Sequence, residues 1–220
     1  LVDIKTDEHS PLTTEAFVAW LNGRFCLPAG HREQDAPLIQ KMNEMGVGLP
    51  NEQEPNLRPL LIKHATYLLG RKPTETELRE CACSFRSASR RRLALFPGVL
   101  AALKELSCHF RIGLVSNAQE LFTRSEIELL NLSGLFSFEV LSSEVGYRKP
   151  ARQIFELALQ EAEVAPEETL YVGNDPFVDV DGAAQVGMFT CRVRDPLFAG
   201  LYSKNPPSLF IERVSELPLL

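Results

Sequence analysis

The sequence predicts an α/β protein: a parallel sheet covered by helices on both faces, joined to an all-helical region in the N-terminal half. Two observations predict this. The first half carries four stretches of helical periodicity with no alternating segment between them, which suggests a helical bundle. After Pro97-Gly98, short apolar runs alternate with amphipathic stretches, the pattern of a sheet buried on both sides.

The first helical stretch opens at Thr13-Thr14, runs through Phe17 to Leu21 and closes near Gly23. The second covers about Ala36 to Met45 and stops at Gly46. The third runs from about Asn56 to Leu69 and ends at Gly70. The fourth starts after Pro73-Thr74, with Glu75 and Glu77 in its first turn, where the helix dipole favours acids. It is expected to continue through Arg86 and Arg90-Arg91-Arg92 to about Ala94, the arginines forming a solvated helix face. A short helix, Val99 to Leu106, precedes the strand Arg111 to Val115. Helix Glu120 to Leu130, strand Phe138 to Leu141 and helix Ile154 to Ala162 follow. The strand Thr169 to Val172 leads to a helix starting near Val178, and strands at Phe189 to Val193 and Leu209 to Ile211 complete the run.

With 220 residues the chain can bury a substantial core as one large domain or a domain with an insertion. Its net charge of −6 argues against a nucleic-acid partner, which would need a basic face. No apolar run reaches the length of a membrane span. Five cysteines, Cys26, Cys81, Cys83, Cys108 and Cys191, fit neither metal-ligand spacing nor a disulfide scaffold, so reduced thiols in the cytoplasm are expected. The sequence carries no signal for oligomeric state.

In open α/β sheets, ligands bind at the carboxyl ends of the strands, and three of the expected strands end in polar residues. Ser116-Asn117 follows an apolar strand; a hydroxyl beside backbone N–H groups suits an anionic oxygen, and equally suits a helix cap. Lys149, within Gly146-Tyr147-Arg148-Lys149-Pro150, suits charge neutralisation on a phosphoryl group or is an ordinary surface lysine. Gly173-Asn174-Asp175-Pro176-Phe177-Val178-Asp179 places two carboxylates at a helix start. Such a pair holds Mg²⁺ or forms a plain N-terminal turn.

Taken together and in this order, these residues resemble the haloacid dehalogenase superfamily of aspartate-nucleophile hydrolases. Its Ser/Thr motif is matched by Leu114-Val115-Ser116-Asn117 and its lysine motif by Gly146 through Pro150. Its acidic loop is matched by Val172-Gly173-Asn174-Asp175 through Asp179, continuing into Gly182-Ala183. The resemblance implies a Rossmann-like core from residues 1–12 and 95–220, with a helical cap domain inserted over residues 13–94. It also implies a Mg²⁺-dependent phosphatase that hydrolyses a small phosphate ester through an aspartyl-phosphate intermediate. Ser116, Asn117 and Lys149 are the implied catalytic residues, and Asp175 and Asp179 the implied metal residues, with Asp179 positioning the metal shell or Lys149.

The family's nucleophile motif, two aspartates two residues apart after an apolar strand, has no full match. Either Asp3 is the nucleophile of a degenerate motif, with Lys5 at the acid–base position, or Leu1-Val2-Asp3 follows that motif. The second is preferred, because only two apolar residues precede Asp3 and a buried strand needs about five or six. On that reading the nucleophile segment lies upstream, and residues 1–220 alone are expected to be inactive. The rivals are carbon–halogen hydrolysis, which needs no metal, and a non-catalytic binding module. Substrate-choosing residues are unassigned, with Arg86, Arg90 and His64 as candidates.

Overall fold

The computed structural model describes residues 2–6, 19–20, 23–24 and 52–220. The expected helix at Ala36 to Met45, most of the one opening at Thr13, and Cys26 lie outside these. The described part of the N-terminal half contains α1 (Arg58–Leu69) and α2 (Glu75–Ser89). Thr74 caps α2: its hydroxyl accepts from the Glu77 N–H, and the Glu77 carboxylate returns a bond to the Thr74 N–H at 2.8 Å. Leu61 of α1 and Leu78, Cys81, Ala82 and Phe85 of α2 bury their apolar faces together with Leu121 and Phe122, with Trp20 alongside.

One element departs from expectation. The fourth helix stops at Ser89, and Arg90–Leu95 is a strand, β2, paired antiparallel with β1 (Val2–Thr6). Local propensity did not reveal this, because the partner strand lies far away in sequence. Arg91 and Arg92 are therefore exposed strand residues, not a helix face. Asp3 pairs with Ala94 in this antiparallel ribbon, which among the described residues is a sheet separate from the parallel strands.

After α3 (Val99–Ser107) the chain alternates as expected. Strands β3 (Gly113–Ser116) and β4 (Phe138–Leu141) pair in parallel, with α4 (Glu120–Leu129) between them. A single turn, α5 (Ser142–Val145), and then α6 (Arg152–Ala162) lead to β5 (Leu170–Gly173), which pairs in parallel with β6 (Phe189–Val193). β7 (Leu209–Ile211) adds to β6, again in parallel. Between β5 and β6 a π-type turn, Pro176–Asp181, runs into the short helix Gly182–Ala184.

Among the described residues the parallel strands form two sheets, ordered β3-β4 and β5-β6-β7. One helix serves both. Ile154, Phe155 and Ala158 of α6 pack against Val115 and Val140 of the first sheet and against Tyr171 and Ala183 on the side of the second. Phe155 is fully buried, and its ring meets the Tyr171 ring edge-on at 5.1 Å. Burial of a side chain of this size contributes roughly 1.5–3 kcal/mol. A shared helix of this kind fixes the carboxyl ends of β3, β4 and β5 relative to one another.

Candidate active site

Each chemistry-bearing residue sits at or just past a strand's carboxyl end. Ser116 closes β3 and pairs with Leu141, the last residue of β4. Asn117 follows it and grips the lysine loop with both ends of its amide. Its Nδ2 donates to the Lys149 carbonyl at 3.0 Å, and its Oδ1 accepts from the Lys149 N–H at 2.7 Å. The loop itself turns at Gly146, whose φ of 79° lies in the left-handed region that a side chain would strain. Ser142 and Ser143, both buried, fix the other flank: their hydroxyls accept from the N–H groups of Ala118 and Glu120 at 2.9 Å.

The Lys149 ammonium points inward. It donates to Asp179 Oδ1 at 2.7 Å and to the Tyr171 hydroxyl at 3.0 Å, and its third N–H meets no acceptor among the described residues. Side-chain exposure is 13% for Lys149 and 7% for Asp179, so this is a largely desolvated ion pair. Burial works against the charge on Lys149, but Tyr171 and Asp179 outweigh it and hold the ammonium's pKa above the ordinary lysine value. Burial also pushes the Tyr171 phenol up, against the pull of Lys149, so the phenol stays protonated and donates to Asp179 Oδ1 at 3.3 Å.

The two acids differ in what they hold. Asp179 has both oxygens occupied: Oδ1 by Lys149 and Tyr171, and Oδ2 by the N–H groups of Asn174 and Asp175, each at 3.1 Å. Asp175 caps the turn through Oδ1 alone, accepting from Phe177 and Val178 N–H at 2.8 and 2.9 Å. Among the described residues its Oδ2 accepts nothing. Gly173 makes this fold-back possible, since a Cβ there would overlap the Asp179 side chain. The structure thus joins Asn117, Lys149, Asp179 and Asp175 in one bonded chain, with Ser116 adjoining Asn117. Among the described residues no group of three or more His, Cys, Asp or Glu is arranged to hold a metal ion. Asp175 fits a hard cation with one oxygen and needs further ligands from elsewhere.

The sequence pattern of the haloacid dehalogenase-like hydrolases matches residues 50–193. The chain belongs to this family. Its relatives include a glyceraldehyde 3-phosphate phosphatase of Methanopyrus kandleri, 28% identical over 153 residues, covering 68% of this chain and 66% of that protein. A phosphoserine phosphatase of Thermus thermophilus is 36% identical over 111 residues, covering 50% of this chain and 44% of that protein. The chain therefore matches less than two thirds of the length of these relatives. Among solved structures, a 2-haloacid dehalogenase from Pseudomonas syringae pv. Tomato DC3000 superposes with a TM-score of 0.61 at 21% identity, covering 99% of this chain and 94% of that one. A HAD phosphatase from Thermococcus onnurineus gives 0.56 at 17% identity, covering 94% and 86%. At these identities the structural likeness is one of fold, which dehalogenases and phosphatases share.

Within this member of the haloacid dehalogenase-like family, three site residues escaped sequence reasoning. Tyr171 was placed only within the strand Thr169 to Val172, although a polar-tipped ring in a buried strand generally finds a partner for its hydroxyl. Gln119, next to the helix start at Glu120, was given no role. Asp195, past the end of β6, accepts from the Asn174 amide at 2.6 Å and so steadies the acidic loop from the side. Of the suggested substrate residues, Arg86 is committed to the interior, pairing with Glu126 at 3.1 Å and lying 4.4 Å over the Phe122 ring. Cys81, Cys83, Cys108 and Cys191 are free thiols. Burial pushes Cys81 to about 12 and Cys191 to about 11, which keeps them protonated and unreactive. Among the described residues no helix is long and apolar enough to cross a membrane.

Proposed function

We propose that this protein is a Mg²⁺-dependent phosphohydrolase acting on a small phosphate ester through an aspartyl-phosphate. The observation that carries the reading is the Lys149 ammonium, held by Asp179 and Tyr171, with Asp179 in turn accepting from the Asp175 N–H. A fixed, desolvated cation bonded into the same loop network as a second carboxylate suits phosphoryl transfer, where catalysis is mostly positioning and charge neutralisation. The phosphatase names of the relatives support it.

In this reading Ser116 and the amides at the end of β3 bind the phosphoryl oxygens. Lys149 offsets charge on the nucleophile and the transferring group. Asn117, Tyr171 and Asp179 hold Lys149, and Asp175 offers Oδ2 to Mg²⁺, which supplies further charge neutralisation when bound. The reading requires two further carboxylates, a nucleophile and an acid–base. The helical half that includes α1 and α2 acts as the cap that closes over the site and selects the substrate. A cytoplasmic setting fits the four free thiols.

The test is a panel of phosphate esters assayed with the full-length protein, with Mg²⁺ and with EDTA. Metal-dependent release of phosphate supports the reading. Release of halide from a 2-haloacid, indifferent to EDTA, refutes it in favour of dehalogenation.

A further inference from the structure

The segment just before α1 is bonded to two of the three loops that carry the site. Gln53 forms an isolated antiparallel bridge with Tyr147. Around it, the Glu54 N–H donates to the Gly146 carbonyl at 3.1 Å, and the Arg148 N–H donates to the Glu52 carbonyl at 2.9 Å. The lysine loop thus gains a short strand partner that ends one residue before Lys149. The Arg148 guanidinium lies 3.5 Å from Glu54 Oε2.

Gln119 ties the same segment to the loop after β3. Its Oε1 accepts from the Leu57 N–H at 3.0 Å, and its Nε2 donates to Glu54 Oε1 at 3.0 Å and to the Pro55 carbonyl at 2.7 Å. One amide therefore satisfies three groups of the segment from the loop that begins at Ser116. The next residue, Glu120, is buried and pairs with Arg58 at the start of α1 at 3.2 Å. Such density of bonding between the helical half and two site loops exceeds what a passive linker requires.

We propose that Gln119 and Glu54 are positioning residues. Residues 52–57 form a strap that sets the Lys149 loop and the Ser116 loop relative to each other, so that the seating of the helical half governs the placement of Lys149. The inference rests on the phosphohydrolase reading only for its kinetic consequence; the strap itself is a structural claim. A displacement of about 1 Å in a positioned group can lower a rate by as much as a hundredfold.

The test uses charge exchange in the full-length protein, with p-nitrophenyl phosphate and Mg²⁺. Gln119→Glu turns two donating N–H groups into a carboxylate facing Glu54 Oε1 and the Pro55 carbonyl. It is expected to lower kcat by about tenfold while KM stays within about twofold. Adding Glu54→Gln restores a donor opposite the new carboxylate, and the double variant is expected to regain most of the loss. A role confined to folding would not separate kcat from KM, and would not reverse on exchange. Hydrogen–deuterium exchange on the same proteins reads the strap without any activity. The Arg148 and Glu54 amides are expected to exchange faster in Gln119→Glu and to recover protection in the double variant.

Unchanged protection at these amides overturns the proposal, whatever the kinetics. So does a kcat within twofold of an active wild type, or a loss that the double variant does not reverse. A wild type that leaves every phosphate ester intact sinks the phosphohydrolase reading instead, and the exchange measurement still decides the strap.

Discussion

Asp179→Asn is the perturbation that best separates a positioning carboxylate from a metal ligand. Asp179 accepts four bonds, from Lys149, Tyr171 and two backbone N–H groups. An asparagine has one acceptor oxygen and an NH₂ that only donates. If the oxygen faces Lys149, the NH₂ opposes the N–H groups of Asn174 and Asp175; in the other orientation it opposes the ammonium. Either way a nearly buried cation loses its counter-charge, and breaking one side of a buried pair typically costs about 3–5 kcal/mol. For a chain of this size that corresponds to a fall in Tm on the order of 2–4 °C per kcal/mol. Lys149→Met removes the cation instead and leaves Asp179 three donors, so it should destabilise by a smaller amount, roughly 1–3 kcal/mol. The double variant should then be more stable than Asp179→Asn alone. Urea unfolding followed by circular dichroism measures all three. A loss below about 1 kcal/mol in Asp179→Asn, or a double variant less stable than it, would refute the ion-pair argument.

Three further outcomes are expected. Asp175→Asn in the full-length protein should lower phosphate release by at least about tenfold and weaken its Mg²⁺ dependence if the proposed function holds, since that reading has Oδ2 serving the metal; a metal titration of initial rates checks it. Gly173→Ala should destabilise by about 1–3 kcal/mol and slow turnover, since its Cβ would displace the Asp179 side chain; unfolding and rate measurements on one preparation read both effects. The Arg71 guanidinium and the Thr74 N–H hold the Glu77 carboxyl at about 2, below its ordinary 4.5. Because that pKa is depressed, the cap's contribution is fully present above pH 4.5 and is lost as pH falls towards 2. A carbon-detected titration should place the Glu77 inflection near the lower value, and Arg71→Ala should move it up.

The parts of the fold legible in the sequence were those set by local pattern. The runs at Phe138–Leu141, Phe189–Val193 and Leu209–Ile211 became strands at those bounds, rich in the aromatic and β-branched residues that suit a half-buried pleated surface. The helical bound at Leu69 held because Gly70 follows it. Arg90–Leu95 failed for the opposite reason. Arginine is a good helix former, and only pairing with Val2–Thr6, distant in sequence, makes the segment a strand.

The site divides along the same line. Ser116, Lys149, Asp175 and Asp179 were legible as candidates because each lies at or beyond a strand end, and the order of strands sets which groups can converge. The resemblance implied that Asp179 positions the metal shell or Lys149, and the structure pairs it with Lys149. What was not legible was the Tyr171 hydroxyl, on the strand that leads into the acidic loop, as a further donor to Asp179. Gln119 and Glu54 were less legible still, since neither lies in a matched motif and their bond spans two halves of the chain. The same reasoning makes the strap a better probe of the site than the conspicuous acids. Replacing Asp175 or Lys149 removes a chemical group, so loss of activity follows on almost any mechanism. Gln119→Glu leaves Ser116, Lys149, Asp175 and Asp179 in place and shifts where the Lys149 loop rests, and adding Glu54→Gln is expected to reverse that shift.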